Sequence, residues 1–196
     1  ITVTTDDGGF TATCDVTVSD IIITTIIIQE NETGFVSFDN GSIDNNHAGF
    51  TGSGFVNTDN ESGTGINWEV CVPSNGTYTL QWRFANGASN RAAQVEIDGV
   101  VAVSNVDFPT TEAWANWDNS ASVDVTLLAG TRQIRLEAIS TNTSGLANID
   151  YISITGDNPQ AGECSNVIPV TGVSVSPTTA SINEGETIQL TATITP

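Results

Sequence analysis

Lysine and methionine are absent from these 196 residues, and only four arginines and one histidine stand against 23 acidic side chains. A formal net charge of −19 excludes nucleic acid and anionic membranes as partners, because phosphate binding needs Lys or Arg to release counterions. Such a chain stays soluble in saline or extracellular surroundings, and its carboxylates suit hard cations, which take oxygen ligands. The single histidine is His47, and neither a Gly-x-Ser-x-Gly nor a His-Glu-x-x-His stretch occurs, so no hydrolase triad of that kind and no zincin site is visible. Carboxylate pairs remain as catalytic candidates, but most acidic residues read as solvated surface, and the chain is expected not to be an enzyme. Three cysteines, Cys14, Cys71 and Cys164, fit no zinc spacing and allow at most one intramolecular disulfide. The apolar run at residues 21–28 (IIITTIII) is interrupted by threonine and far shorter than the roughly 20 residues of a membrane span. It is expected to be a buried strand. No signal peptide is seen, which is expected of a mature form or an excised piece.

What the chain has in abundance is Thr, Ser, Asn, Gly, Val and Ile, a vocabulary of strands and turns. No stretch keeps apolar residues at helical spacing for more than about two turns. Between residues 21 and 156 alternating segments recur with Gly, Asn or Pro at the breaks. Asp98-Gly99, between two such segments, is a hairpin signal. The spacing predicts an all-β, jelly-roll-like sandwich. Residues 1–19 read as a two-strand hairpin, 157–168 (beginning DNPQAGECSNV) as a polar linker, and 169–196 as a further pair of strands around a turn-rich stretch.

Sugar recognition suits this inventory. A pyranose offers an apolar face and a fringe of hydroxyls, so its sites join an exposed aromatic to Asn, Arg or Asp. The loop 107–119 (DFPTTEAWANWDN) carries Trp114 and Trp117 among polar residues, whereas Trp68 and Trp82 fall in strands.

The stretch Asn46-His47-Ala48-Gly49-Phe50-Thr51-Gly52-Ser53-Gly54-Phe55-Val56 resembles the Asn-His-x-Gly-Tyr-x-Gly-x-Gly-Tyr-Val segment of carbohydrate-binding module families 6 and 35. Further matches follow in order: Gly76-Thr77-Tyr78-Thr79-Leu80, Phe84-Ala85-Asn86-Gly87 with Arg91, Asp98-Gly99, Phe108-Pro109, and Asn148-Ile149-Asp150-Tyr151-Ile152. The resemblance implies a β-sandwich with a sugar site in the loops at one end. There an aromatic, Phe50 or Phe55, faces Trp114 or Trp117, Asn148 bonds the sugar, and Arg91 meets a uronate through its planar fork. It also implies a structural calcium near the first strand, with Glu30, Glu32 and Asp150 as ligands. Ligand class stays open between pectin-like or algal uronates and neutral galactans or xylans.

The end segments resemble bacterial Ig-like repeats of group 2, with 1–19 the end of one repeat and 169–196 the start of another. Two roles follow as expectations. One is a non-catalytic, calcium-dependent module that targets a secreted bacterial protein to a polysaccharide. The other is a subunit of an extracellular fibre assembled head-to-tail, with Cys14 and Cys164 close enough to bridge neighbouring copies.

Overall fold

A computed structural model describes residues 2–4, 11–13, 21–139, 144–165, 172–176, 189 and 191–195. The chain divides into two compact units, Ile1–Cys164 and Ser165–Pro196. In the first, β1 (Thr2–Thr4) and β2 (Thr11–Thr13) pair antiparallel with Thr2 opposite Thr13. Their expected turn at residues 6–9, and Cys14, lie outside the described residues.

The sandwich begins with β3 (Ile23–Gln29), β4 (Phe35–Phe38), β5 (Ser42–Asp44), β6 (Phe55–Asn57), β7 (Gly65–Val72) and β8 (Gly76–Ala85). It continues with β9 (Ala93–Ile97), β10 (Val100–Val106), β11 (Trp117–Asn119), β12 (Val123–Leu127), β13 (Gly130–Ala138), β14 (Asn148–Asp157) and β15 (Gln160–Ala161). One sheet runs β10-β9-β13-β7, with β4 and β15 both completing the free side of β7. The other is centred on β8 and β14: β11 and β12 flank β8, β3 and β6 flank β14, and β5 closes beyond β6. All the pairings are antiparallel, as an alternating sequence with short turns favours.

Side chains two apart on each strand fill the space between the sheets. Ile66, Trp68, Val70 and Val72 of β7 meet Tyr78, Leu80, Trp82 and Phe84 of β8, together with Ile134 and Leu136 of β13 and Ile152 and Ile154 of β14. Each large apolar side chain so buried contributes about 1.5 to 3 kcal/mol. Phe108, in the loop after β10, caps this core edge-on to Phe84 at 5.0 Å between ring centroids. Asp98 and Gly99 both have positive φ (51° and 77°), the type I′ geometry that joins β9 to β10 as a tight hairpin. The turns at 73–76 and 128–131 work differently. Each carries the chain from one sheet to the other, since β7 and β13 lie in one sheet and β8 and β12 in the other.

Two expectations change here. Ile21, Ile22, Ile23 and Ile27 are 72%, 59%, 64% and 49% exposed, so the 21–28 run is not a buried strand. Its strand, β3, pairs only with β14 among the described residues, and its outward-facing side chains have no layer over them. The stretch 157–168 is not free linker as far as Cys164. β15 pairs with β7 inside it, and Cys164 forms a disulfide with Cys71, 93 positions earlier. That bond also removes Cys164 from any bridge to Cys14 of a neighbouring copy.

In the second unit, β16 (Gly172–Ser176) and β17 (Thr191–Thr195) pair antiparallel with Gly172 opposite Thr195. The rest of the stretch that carries the Ig-like resemblance at this end lies outside the described residues. Within the first unit the two poles of the sandwich differ. The chain enters and leaves at the Asp157 end of β14, where Ile22 donates its amide to Asp157 Oδ1 and Asn158 donates to the Ile22 carbonyl. Asn148 starts the same strand about 30 Å away, ten residues at the usual strand rise.

Candidate functional site

At the Asn148 end the loops enclose a pocket of about 150 Å³, lined by His47, Asn57, Asn60, Arg91, Trp114 and Asn148. The six come from six places: the loop after β5, the end of β6, the loop before β7, the loop before β9, the loop between β10 and β11, and the first residue of β14. Among the described residues no carboxylate lines the pocket, in a chain that carries 23 of them.

Arg91 is only 8% exposed. One terminal nitrogen donates to Asn60 Oδ1 (2.9 Å) and to the Leu146 carbonyl (2.6 Å), while its buried Nε has no partner among the described residues. The other three arginines each have a carboxylate: Arg83 has Asp150, Arg132 has Asp98, and Arg135 has Asp39 and Glu137. Among the described residues Arg91 has none, and burial pulls its pKa down from the ordinary guanidinium value. A buried cation without a counter-charge is costly, and an anion entering the pocket offsets that cost.

Trp114 stands beside it, its ring centroid 4.9 Å from the Arg91 guanidinium carbon. Its loop is pinned to the end of β8 through Asn86. The Asn86 amide side chain donates to the carbonyls of Ser89 and Phe108, and the Asn86 carbonyl accepts from the Thr111 amide at 2.7 Å. Gly87 is required next to it, because a Cβ there would fall 2.7 Å from the indole. His47 completes the wall, its ring 6.4 Å from Trp114 and 6.0 Å from Phe55, tilted 25° and 26° to them. Hydrogen bonds from Asn57 and Ser42 hold the Asp44 carboxyl below the usual carboxylate range, with the charge of His47 adding to them.

Of the ligand residues expected from sequence, the pocket brings together Arg91, Trp114 and Asn148. Phe50, Phe55 and Trp117 form a separate aromatic group beside it, with Phe55 5.9 Å from Phe50 and 5.1 Å from Trp117. Phe55 is fully buried and cannot meet a ligand, because its ring is packed among those of His47, Phe50 and Trp117. Trp117 opens β11, donates its indole N–H to the Ala48 carbonyl at 3.0 Å and lies under Arg83, so it braces the loop at 48–49. His47, Asn57 and Asn60 join the lining without being expected there as ligands. In so asparagine-rich a chain Asn57 and Asn60 are indistinguishable from turn residues, whereas His47 carries a signal as the sole histidine.

The expected metal ligands are spread differently. Glu30 is 4% exposed, and its Oε1 accepts from the amides of Ser53 and Gly54 and from the Ser53 hydroxyl. Its Oε2, like Gln29 Oε1, is buried with no partner among the described residues. Asp150 is held by the neighbouring Thr51, through amide and hydroxyl, and by Arg83. Glu32 is exposed and accepts from the Gln29 amide in its own turn. Among the described residues no three Asp, Glu, His or Cys side chains converge as a metal site.

A jelly-roll sandwich whose end loops gather an indole, a guanidinium and three carboxamides around a small pocket has the build of a sugar-binding module. Residues 37–156 match the family described as carbohydrate binding module (family 6), and the chain belongs to that family. Among curated proteins it is 42% identical over 144 residues to endo-1,4-beta-xylanase B of Cellvibrio japonicus, and equally to alpha-L-arabinofuranosidase C of the same organism. Each alignment covers 72% of this chain and 23% of the relative, so the chain spans less than a quarter of those enzymes. Among solved structures, the CBM35 of Cellvibrio japonicus Abf62 superposes with a TM-score of 0.67 at 40% identity, over 72% of this chain and all of that one. A Xyl-CBM35 in complex with a glucuronic acid containing disaccharide does so at 0.66 and 41% identity, over 71% of this chain and 99% of that one.

Proposed function

We propose that the chain is a non-catalytic module of a larger secreted protein and that it holds that protein on a polysaccharide through uronate residues. The observation that carries this reading is Arg91, a buried guanidinium that among the described residues has no carboxylate partner and no acidic side chain beside it in the pocket lining. Its other terminal nitrogen, free of protein partners among the described residues, suits a sugar carboxylate, the carboxamides of Asn57, Asn60 and Asn148 suit ring hydroxyls, and Trp114 supplies an apolar edge. The solved relative with a glucuronic acid containing disaccharide supports the same ligand class. A local positive site also resolves how a chain of net charge −19 captures an acidic glycan. The Cys71–Cys164 disulfide is in keeping with an oxidising, extracellular location. Affinity electrophoresis in a glucuronate-bearing xylan and in the same xylan after carboxyl reduction tests the reading. Retention is expected in the first and lost in the second; equal retention in both would rule out the uronate.

Calcium is part of this proposal as a structural ion. The two orphaned buried oxygens, Glu30 Oε2 and Gln29 Oε1, fit a hard cation, with Asp150 of β14 bonded to the same 51–54 turn through Thr51, while Glu32 is engaged in its own turn with the Gln29 amide. When bound, the ion supplies counter-charge to Glu30 and ties β3 to that turn. Chelation is then expected to lower the melting temperature by roughly 4 to 8 °C, the effect of about 2 kcal/mol at this size, with recovery on adding calcium. An unchanged melting curve in chelator would remove the ion from the account.

A further inference from the structure

His47 lines the pocket, is half-buried, and has no hydrogen-bond partner for either ring nitrogen among the described residues. Its ring is held by packing, near-parallel to both Phe55 and Trp114. A polar ring held by stacking, with nitrogens that no described residue engages, is preorganised beside the cavity for a ligand atom. The ligand proposed above is an anion, and His47 flanks the same indole as Arg91, the other cationic side chain of the lining.

We infer that His47 in its protonated form is a second cationic contact for the uronate carboxylate, so that capture is strongest in mildly acidic surroundings and weakens as the imidazole loses its proton. The inference rests on the uronate reading of this pocket and adds regulation to it. Imidazole is the side chain whose ordinary titration falls between pH 5 and 8. When an anion binds the protonated ring, the complex holds more protons than the free protein does at higher pH, so affinity falls as pH rises. Two charged groups face the ring. These are Asp44 on β5, which interacts with the ring electrostatically, and Arg91 across Trp114. On the Trp114 loop, Asp107 is engaged by Asn90, and neither it nor Glu112 nor Asp118 lines the pocket. From β6 no titratable group faces His47, since that strand is Phe55, Val56 and Asn57.

The test is calorimetric titration with a glucuronate-bearing xylo-oligosaccharide and with its carboxyl-reduced form, from pH 5 to pH 8. Wild-type affinity for the acidic ligand is expected to fall roughly fivefold across that range, the difference between a charged and a neutral hydrogen bond. His47→Gln should give a flat profile, with the protein still folded at the titration temperature by its melting curve. A flat wild-type profile with binding present, or a slope that survives in His47→Gln, overturns the inference. Failure to bind the acidic ligand at every pH overturns it together with the uronate reading beneath it, and is told apart by the missing heat in the wild type.

Discussion

Arg91→Ala is expected to weaken binding of a uronate-bearing oligosaccharide roughly 10- to 150-fold, the range of a hydrogen bond to a charged group worth about 1.5 to 3 kcal/mol. Titration calorimetry reads the loss, and the carboxyl-reduced ligand serves as control. The expected change in stability is small because two effects oppose each other. Substitution removes a buried charge whose desolvation costs free energy, and it orphans Asn60 Oδ1 and the Leu146 carbonyl, which now accept from the guanidinium. Arg91→Lys keeps a charge and loses the planar fork, so its affinity should lie between those of wild type and alanine. If Arg91→Ala lowers affinity for the acidic and the reduced ligand equally, Arg91 serves the shape of the pocket and not the carboxylate.

How much of the fold is legible in the sequence depends on the kind of signal. The long strands β7, β8, β13 and β14 announce themselves, because strict alternation over seven or more residues rarely arises outside a half-buried strand. The short ones, β4, β5, β11 and β15, are two to four residues each, too short for a period to register. Alternation also says which side chains share a face but not which sheet a strand joins, so the crossings at 73–76 and 128–131 emerge only in three dimensions. The isoleucine run shows the opposite failure. Its composition suggests burial, yet an edge strand covered on one face leaves Ile23 and Ile27 in water, and Ile21 and Ile22 before it are exposed as well.

At the site the same limit separates Trp114 from Trp117. Both lie in one polar loop three positions apart, and nothing in their local sequence distinguishes them. Pairing decides it: Trp117 falls opposite Ala85 at the start of β11, which turns its indole toward Phe55 and the Ala48 carbonyl. Trp114 precedes the strand and stays at the pocket. Family resemblance points to Arg91 and Asn148, but the absence of carboxylates among the described residues around them is a property of six separate segments at once and has no linear signature.

Loss of the Cys71–Cys164 disulfide is expected to be the largest single effect on stability. The bond closes a loop of 93 positions that contains β8 to β15, hence most of both sheets. Opening a loop of that length restores unfolded-chain entropy worth roughly 4 to 5 kcal/mol. At this size that corresponds to a melting temperature lower by about 10 to 15 °C. The double substitution Cys71→Ala, Cys164→Ala tests it against wild type in oxidising buffer, and reduction of the wild type should reproduce the same loss. Binding in the folded state should survive at room temperature, because the disulfide lies at the pole away from the pocket. Val72, next to Cys71, pairs with Gly130, and nearby Ser74 bonds Asp157 at 2.6 Å, whereas the pocket begins at Asn148 on the far end of that strand. Local contacts also hold this end of the chain in place. β15 is already paired with β7, and the Cys164 amide donates to Thr131 Oγ1 at 2.9 Å. Two short pairings do not restrain an unfolded chain, however, and a covalent bond does. Equal melting temperatures for oxidised, reduced and doubly substituted protein would show that those native contacts alone fix this end of the module and that the cross-link adds nothing to its stability.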